Sequence, residues 1–503
     1  MANEKGNIEL DAGLAIYSVD VNLIDSVVDP GLPETSCPEL SSLQKRQLWS
    51  KIDFRLLPIL AQIYTVAILG AENIAGAQSL GMGIQLGLTT SQFNIAVWVY
   101  FISYFVFASP ANILLRKLPP SRWMPTITVL LGVVFITMGF IETYPLLVLC
   151  RFAVGLLEAG ILPSIAFYLT FWYPRDKLQT RIGIFYGSAV FLAAMSGLVG
   201  YYIHLMAGVA RRTAWSWLFI IGGSTTALLG LIAYSALPDF PETAGILSPA
   251  QRVYLVNQKK IEYAKVGEDE RLEARHLWEA LTDWQVWLHT LIMICVCTPL
   301  YGIAIFLPSI IEDLGHSPLV MEAFNIPPFV IATIVICASG YYADKLQKRS
   351  FFIFGGLIAT ALGLLINIMH MPPAMKYVGT CLVAAGSYSA FPGVVAWLGN
   401  NLSGQYKRGI GMGIQIGVGN LCGIVASLIY RTQDAPQYLF GHVVSAMFVI
   451  VGLVAVLVTV VLYQRINRKR NEVLQGLLGH GERLRPGEIK RLGDRSPTFR
   501  YMI

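Results

Sequence analysis

The sequence predicts an all-α polytopic membrane protein with twelve transmembrane helices, six on each side of a polar connection. Three observations predict it. The chain has 503 residues, 55% hydrophobic and only 14% charged, whereas a soluble domain is roughly a quarter charged. Apolar runs close to the ~20 residues that cross a bilayer as a helix recur along most of its length. The polar stretch 238–283 divides those runs into two equal sets. A water-soluble fold lacks its polar surface here, so the net charge of +6 is read for membrane topology and not for nucleic-acid binding.

Residues 1–50 are expected to form a cytosolic, mostly disordered tail. Positions 1–40 carry eight acidic residues against one lysine and few large apolar side chains, too little to form a packed core. This polar opening has no cleavable signal pattern, which keeps the amino terminus in the cytosol. The first six apolar segments fall near 54–69, 93–115, 123–142, 146–173, 182–208 and 215–237, an N-terminal bundle over 51–237. LPDFPETAG, from Leu237, stops the sixth with its prolines. The charged residues 251–276 then suit an amphipathic surface helix within a cytosolic loop, 238–283. Six further segments near 284–311, 321–342, 351–371, 376–399, 408–430 and 439–464 form a C-terminal bundle, 284–464. From Arg465 the chain is basic, suited to a cytosolic tail lying against anionic headgroups. With the amino terminus inside, short inner loops hold eleven Lys and Arg and outer loops four. This agrees with the positive-inside rule and places both ends in the cytosol.

Most of the seven cysteines lie in apolar runs without zinc or haem spacing, where free cysteine packs as a small hydrophobe. No metal, cofactor or disulfide is expected. No nucleophile with its base and no phosphate-cradling glycine loop occurs at a workable spacing, so enzyme activity is not expected. GMGIQLG at 81 and GMGIQIG at 411 occupy non-equivalent places, so the repeat is read as chance. Asn401-Leu-Ser403 fits a glycosylation pattern but falls on the cytosolic side.

The charges inside the spans carry the functional signal. Arg151 and Glu158 are the only charged residues between Pro145 and Tyr173. A charge at the centre of a membrane helix costs roughly 2.5–3.5 kcal/mol on insertion scales. Seven residues is almost two helical turns, which puts both on one face about 10 Å apart. Gly155 and Ala159 lie near the same face, where small residues admit a neighbouring helix or a ligand. The competing account is structural, each charge satisfied by another helix; the functional one is a substrate or proton site.

A second signature, GYYADKLQKR, runs from Gly340 to Arg349. Anchoring at the inner interface explains the cations but not Asp344. An acid there suggests a specific partner, such as the amino terminus of a neighbouring helix. Asn73 and Asn420 are candidates for substrate contact, although amides also glue helices together. Tyr186, Tyr301 and Trp397 are candidate ligand platforms, with packing the competing account. His204, His289 and His442 lie near segment ends, and Glu72 lies near the outer end of the first segment, where solvation accounts for it.

Twelve spans as six plus six, the long central loop and the Gly340-x-x-x-Asp344-Lys345 turn resemble the major facilitator superfamily. In that family the turn after segments 2 and 8 is a conformational latch, and segment 4 carries Arg-x-x-x-Gly-x-x-x-Ala, met by Arg151, Gly155 and Ala159. KIDFRLLP at 51, NIAGA at 73, RKLPPSRW at 116, EAGILPS at 158, FWYPRDKLQTRIGIFY at 171 and WLGNNLSGQYKRGIGMGIQIGVGN at 397 look like its fungal anion:cation symporter branch, the allantoate and vitamin permease family. The resemblance covers about 51–465. Departures are also present: Gly70 and Ala71 stand where that branch has Asp-Arg, and Ser216 and Gly222 where it has Arg and Glu.

The resemblance implies two pseudo-symmetric six-helix bundles in the cell membrane, rocking around a central site. It implies proton-coupled uptake of a small organic anion or vitamin-like carboxylate by alternating access. Arg151 would attract the anion, Glu158 would exchange the proton, and Gly340, Asp344, Lys345 and Arg349 would hold the inner gate. Export of a fungal secondary metabolite and a non-transporting nutrient sensor are the alternatives.

Overall fold

The structure is a computed structural model that describes residues 40–195, 199–200, 202–203, 205–262, 273–312, 318–435, 437–479 and 492–503. Most of the expected amino-terminal tail, together with His204, lies outside the described residues. Described helices are numbered in chain order. α1 (Ser42–Ser79) opens on a capping box in which Ser41 and Gln44 each satisfy the other's backbone N–H. α2 (Thr90–Lys117) repeats the device with Thr89 and Gln92. α3 (Pro120–Met138) starts on a proline, whose missing N–H is not needed in a first turn.

The fourth segment is not one helix. α4 (Tyr144–Glu158) and α5 (Leu162–Trp172) are separated by a turn at 159–161. Pro163 has no N–H to give to Ala159, and its ring crowds that carbonyl. Instead Ile161 donates to the Glu158 carbonyl at 2.8 Å, an i−3 bond one residue shorter than the α-helical i−4 pattern. α6 (Leu178–Ala194) and α7 (Ala214–Ala236) complete the first set.

The connection carries α8 (Pro249–Glu262) and α9 (Ala274–Leu281). Lys259 of α8 donates to the Thr170 carbonyl at 2.7 Å, so the connection is tied to the end of α5. The second set comprises α10 (Trp284–Glu312), α11 (Pro318–Leu346), α12 (Arg349–Ile368), α13 (Pro373–Asn401), α14 (Gln405–Asn420), α15 (Cys422–Ile429) and α16 (Leu439–Gly479). Counting α4 with α5 and α14 with α15 as single spans, eleven are long and apolar enough to cross a membrane. α6, at the expected fifth span, has 17 residues as described.

Within each set, backbones touch through glycine. A Cβ built on Gly132 of α3 would lie 2.5 Å from the Ala227 nitrogen of α7, and one on Gly386 of α13 would lie 2.3 Å from the Gly356 oxygen of α12. Such approach replaces the hydrophobic drive that lipid-exposed helices lack. Between the sets, α2 packs on α14 and α6 on α11. Gly413 of α14 meets the backbone of Ser109, so the second GMGIQIG run lines this seam. The first copy holds Gly81 and Gly87 at φ of 90° and 61°, on either side of a single helical turn at Met82–Gln85 in the connection between α1 and α2. The two copies thus serve unrelated ends.

Two expectations differ at the chain's basic end. RINRKR does not start a tail, because α16 continues through it for 41 residues, about 60 Å at 1.5 Å per residue. Residues 492–503 then fold back onto the helix ends, with Asp494, Phe499 and Tyr501 at most 5% exposed. His289 and His442 are also buried and not interfacial; His289 Nε2 lies 2.9 Å from the Tyr463 hydroxyl.

Candidate functional site

Arg151 and Glu158 face inward, 2% and 4% exposed. Among the described residues no ion pair joins them, as their axial spacing predicts. Arg151 clasps two other helices. Its Nη1 donates to the Ala71 carbonyl of α1 at 3.0 Å and its Nε to the Ala96 carbonyl of α2 at 3.3 Å. The guanidinium lies over the Tyr100 ring, 4.6 Å from its centroid. A planar fork suits this bridging in a way that an ammonium does not. Gly155, one turn further on, lets α2 approach: a Cβ there would lie 2.3 Å from the Tyr100 oxygen. Gly155→Ala is therefore expected to force α2 and α4 apart and lower stability by about 1–3 kcal/mol, read as a drop in melting temperature of the detergent-purified protein.

Glu158 has the opposite character. It is the last residue of α4, at the break, and its Oε2 is buried without a hydrogen-bond partner. The nearby Tyr104 hydroxyl is also buried, directed toward Asn420 without a well-formed hydrogen bond. Buried polar atoms are normally bonded, so each exception asks for an explanation.

Around them stand aromatic rings from both sets. Tyr186 of α6 stacks on Phe391 of α13, centroids 4.7 Å apart and 12° between planes. Phe101 of α2 meets Tyr301 of α10 edge-on at 5.7 Å. Tyr301 donates its hydroxyl to Asn420 Oδ1 at 2.6 Å, beside the α14–α15 break. Tyr64 of α1 stacks against Tyr186 at 5.9 Å. Glu72, two turns beyond Tyr64, is solvent-exposed yet within electrostatic reach of Glu158, Tyr64 and Tyr388. It lies toward the end of α1 away from the chain termini.

The structure brings together Arg151, Glu158, Tyr186, Tyr301 and Asn420. Asn73 is half-buried on α1 with its amide toward Gly222 of α7. Trp397 does not join the centre: its indole donates to the Met502 carbonyl at 2.8 Å, at the end that carries the termini. The apolar run around Trp397 gave no depth along the helix, which is why the sequence misplaces it. Sequence reading took Glu72 for a solvated helix end, which its exposure agrees with, but gave no sign of its nearness to the centre, and it missed Tyr64, Tyr100, Tyr104, Tyr388 and Phe391. The i, i+4 pair Tyr100 and Tyr104 and the i, i+8 pair Tyr64 and Glu72 were the available signals, since each shares a helix face.

At the termini-bearing end the two sets are joined by a buried polar cluster. Asp344, the acid of the Gly340–Arg349 turn, receives the Gln179 and Thr180 backbone N–H groups at 3.3 and 2.7 Å and the Thr180 hydroxyl at 2.5 Å. These groups open α6, so the carboxylate sits on a helix amino terminus. Arg349, 0% exposed, pairs with Asp344 at 3.1 Å and donates to Gln179 Oε1 at 2.9 Å and to the Arg175 carbonyl. Gly340 approaches Thr180 closely enough for that hydroxyl to reach its carbonyl at 3.1 Å. Lys345 is exposed, and among the described residues no hydrogen bond or ion pair involves its side chain. Nearby, Asn112 of α2 donates to the Gly409 carbonyl at 2.8 Å.

A centre shared by two six-span sets, closed at one end, is the geometry of a carrier. Residues 60–427 match the family model described as Major Facilitator Superfamily. The chain belongs to the major facilitator superfamily. It is 30% identical to the MFS transporter prlL of a fungal species over 85% of this chain and 89% of that protein. It is 26% identical to the high-affinity nicotinic acid transporter of Saccharomyces cerevisiae over 94% and 87%. Among solved structures, the proton:xylose symporter XylE bound to 6-bromo-6-deoxy-D-glucose superposes with a TM-score of 0.62, covering 81% of this chain and 95% of that one at 14% identity, a likeness of fold. As a member of the superfamily this chain is a multi-pass membrane protein whose relatives and structural neighbours are transporters, and secondary transport is its activity.

Proposed function

We propose that the chain takes up a small organic anion, a carboxylate of the vitamin-like class, together with protons by alternating access across the cell membrane. The observation that carries this reading is Glu158: a buried, unpartnered carboxyl oxygen at a helix break, beside Tyr64, Tyr100 and Tyr104 of the first set, which in turn neighbour Tyr301 of the second. The cation bias of the loops supports cytosolic termini, which makes the sealed end cytosolic and the Glu72 side the outward opening. The motif resemblance to allantoate and vitamin permeases supports the carboxylate class, as does a 26% identical relative that carries nicotinic acid in its name.

In this scheme Arg151 supplies a fixed positive charge, already oriented by two carbonyls, so it attracts an anion without reorganising. The tyrosines offer ring faces and hydroxyls to a planar body. An anion beside Glu158 favours the protonated carboxyl, and the protonated carboxyl removes a repulsion from the anion. The coupling is reciprocal, as linkage requires. Export of a secondary metabolite is the competing reading, favoured by the absent family charges at Gly70, Ala71, Ser216 and Gly222.

A cellular screen with labelled nicotinate, allantoate and biotin, with and without a protonophore, tests the proposal. Accumulation of at least one of them, collapsing with the protonophore, is the expected outcome. Efflux from preloaded cells without uptake overturns the direction, and accumulation indifferent to the protonophore overturns the coupling.

A further inference from the structure

The segment 492–503 is buried where a gate must open. It runs along the extension of α16 beyond the bilayer length. There Arg470 donates to the Phe499 carbonyl at 2.7 Å and the Asp494 carbonyl at 2.6 Å, with its guanidinium 4.3 Å from the Tyr501 ring centroid. Asn467 pairs with the Tyr501 backbone in both directions, at 2.9 and 3.0 Å. Asp494 reaches inward to Lys407 of α14 at 2.8 Å, and Lys407 also holds Asp283 at 2.6 Å. Burial pushes the Asp494 carboxyl up while the Lys407 ammonium pulls it down, so this acid is held inside by its partner.

The last residues then enter the seam. Asn401 of α13 bonds Met502 through both backbone groups, at 2.7 and 2.9 Å. The Ile503 carbonyl accepts the Arg349 N–H at 2.8 Å, satisfying a first-turn donor of α12. From the first set, Arg175 donates to the Arg500 carbonyl at 3.2 Å, with its guanidinium 4.7 Å from the Phe499 ring centroid. Arg175 also offers its own carbonyl to Arg349 and to Asn400 Nδ2, the latter at 3.2 Å. The segment therefore grips one set along its length and the other at Arg175, across the contacts that must part if the sealed end opens.

We propose that residues 492–503 are a built-in peptide ligand of a groove at this seam, and that their withdrawal is required before the sealed end opens. The groove recognises the peptide, a 3-10 turn at Gly493–Arg495 followed by an irregular end, by backbone bonds from Asn401 and Asn467 and by an arginine that reads carbonyls and an aromatic ring. Anything that binds or modifies the undocked segment therefore biases the carrier toward the open state, because a ligand shifts the equilibrium by its difference in affinity for the two states. This rests on the alternating-access reading above.

Spin labels at the exposed positions Arg122 and Lys348, one in each set at this end, report the opening as a distance distribution in proteoliposomes without substrate. The full chain is expected to show one short distance. Removing 492–503 is expected to add a longer one, raising the open-to-closed ratio roughly tenfold for ~1.4 kcal/mol of lost docking. The synthetic peptide 492–503, added to the truncated protein, is expected to restore the short distance. Arg470→Ala, which frees the segment without touching the gate cluster, keeps the test decisive if the truncated protein misfolds. Asp344→Asn is the control for opening itself. If it lengthens the distance while neither removal of the segment nor Arg470→Ala does, the peptide latch is overturned and the two-state carrier stands. If none of these changes lengthens it, both readings fall.

Discussion

Glu158→Gln abolishes uphill, proton-driven accumulation while exchange of substrate down its own gradient persists; that is the expected result with the largest effect on transport. Glutamine keeps the volume at the end of α4, and Glu158 makes no ion pair with Arg151 that would be broken. Its Oε2 has no partner to lose. Folding should be little affected, since the amide keeps an acceptor oxygen for the Tyr100 hydroxyl and removing a deeply buried charge relieves desolvation. Coupling, by contrast, needs a group that is charged in one step of the cycle and neutral in another, and an amide is neutral throughout. Uptake in proteoliposomes with an imposed proton gradient separates the two: counterflow remains, accumulation disappears. Retention of gradient-driven accumulation by the variant would remove Glu158 from the proton path and leave exposed Glu72, within its electrostatic reach, as the carboxylate to test next.

Asp344→Asn is the second. Asp344 and Arg349 form a pair that is 7% and 1% exposed. Taking the charge from one partner of such a pair costs roughly 3–5 kcal/mol, chiefly by stranding the other. The cost here is greater in kind than that of the pair alone. One Asp344 oxygen accepts from Gln179 and Arg349 and the other accepts twice from Thr180. An asparagine must turn its NH2 toward one of these donor sets. Because every partner but Arg349 belongs to the first set of helices, the loss falls on the closed state of this gate and not on either bundle alone. The bonds from Gln179 and Thr180 are the ones that cross between the sets; hydrogen bonds to a charged group contribute about 1.5–3 kcal/mol each, and losing about 3 kcal/mol of them changes the closed-to-open ratio by more than about a hundredfold. Spin-label distances across the end should lengthen, with the melting temperature changing far less than the gate. A double-mutant cycle with Arg349→Gln isolates the coupling; additive effects of the two substitutions would dismiss the pair as the gate's anchor.

Much of the fold was legible because lipid leaves few choices. Each span must satisfy its own backbone and cover itself with apolar side chains, so length and hydropathy alone announce it. Arg151 and Glu158 were legible for the same reason: a charge in a run such as 145–173 is too costly to be incidental. Asp344 stood out because positive-inside anchoring accounts for cations and leaves an acid unexplained. Lys345, beside it, shares the motif but remains exposed, because two successive residues on a helix point 100° apart and only one can face the seam.

What one segment cannot report is its depth and direction relative to another. Trp397 and Tyr186 look alike in sequence, apolar-run aromatics both, yet one meets Met502 at the sealed end and the other stacks on Phe391 at the centre. Glu72 reads as a solvated helix end until α1 is seen beside Tyr388 of the other set. Residues 492–503 read as a polar tail until Arg175, Asn401 and Arg470 enclose them.

The sequence by itself determined that this chain crosses a membrane many times, in two sets, with a buried charge on its fourth segment, since those facts follow from the solvation cost of each residue taken alone. The tertiary structure decided which atom of that charge is left open, what the arginine holds, and what closes the far end. The arginine's two carbonyls lie 55 and 80 positions away and the contacts across the far end reach 325 positions, and no local rule sets their distance.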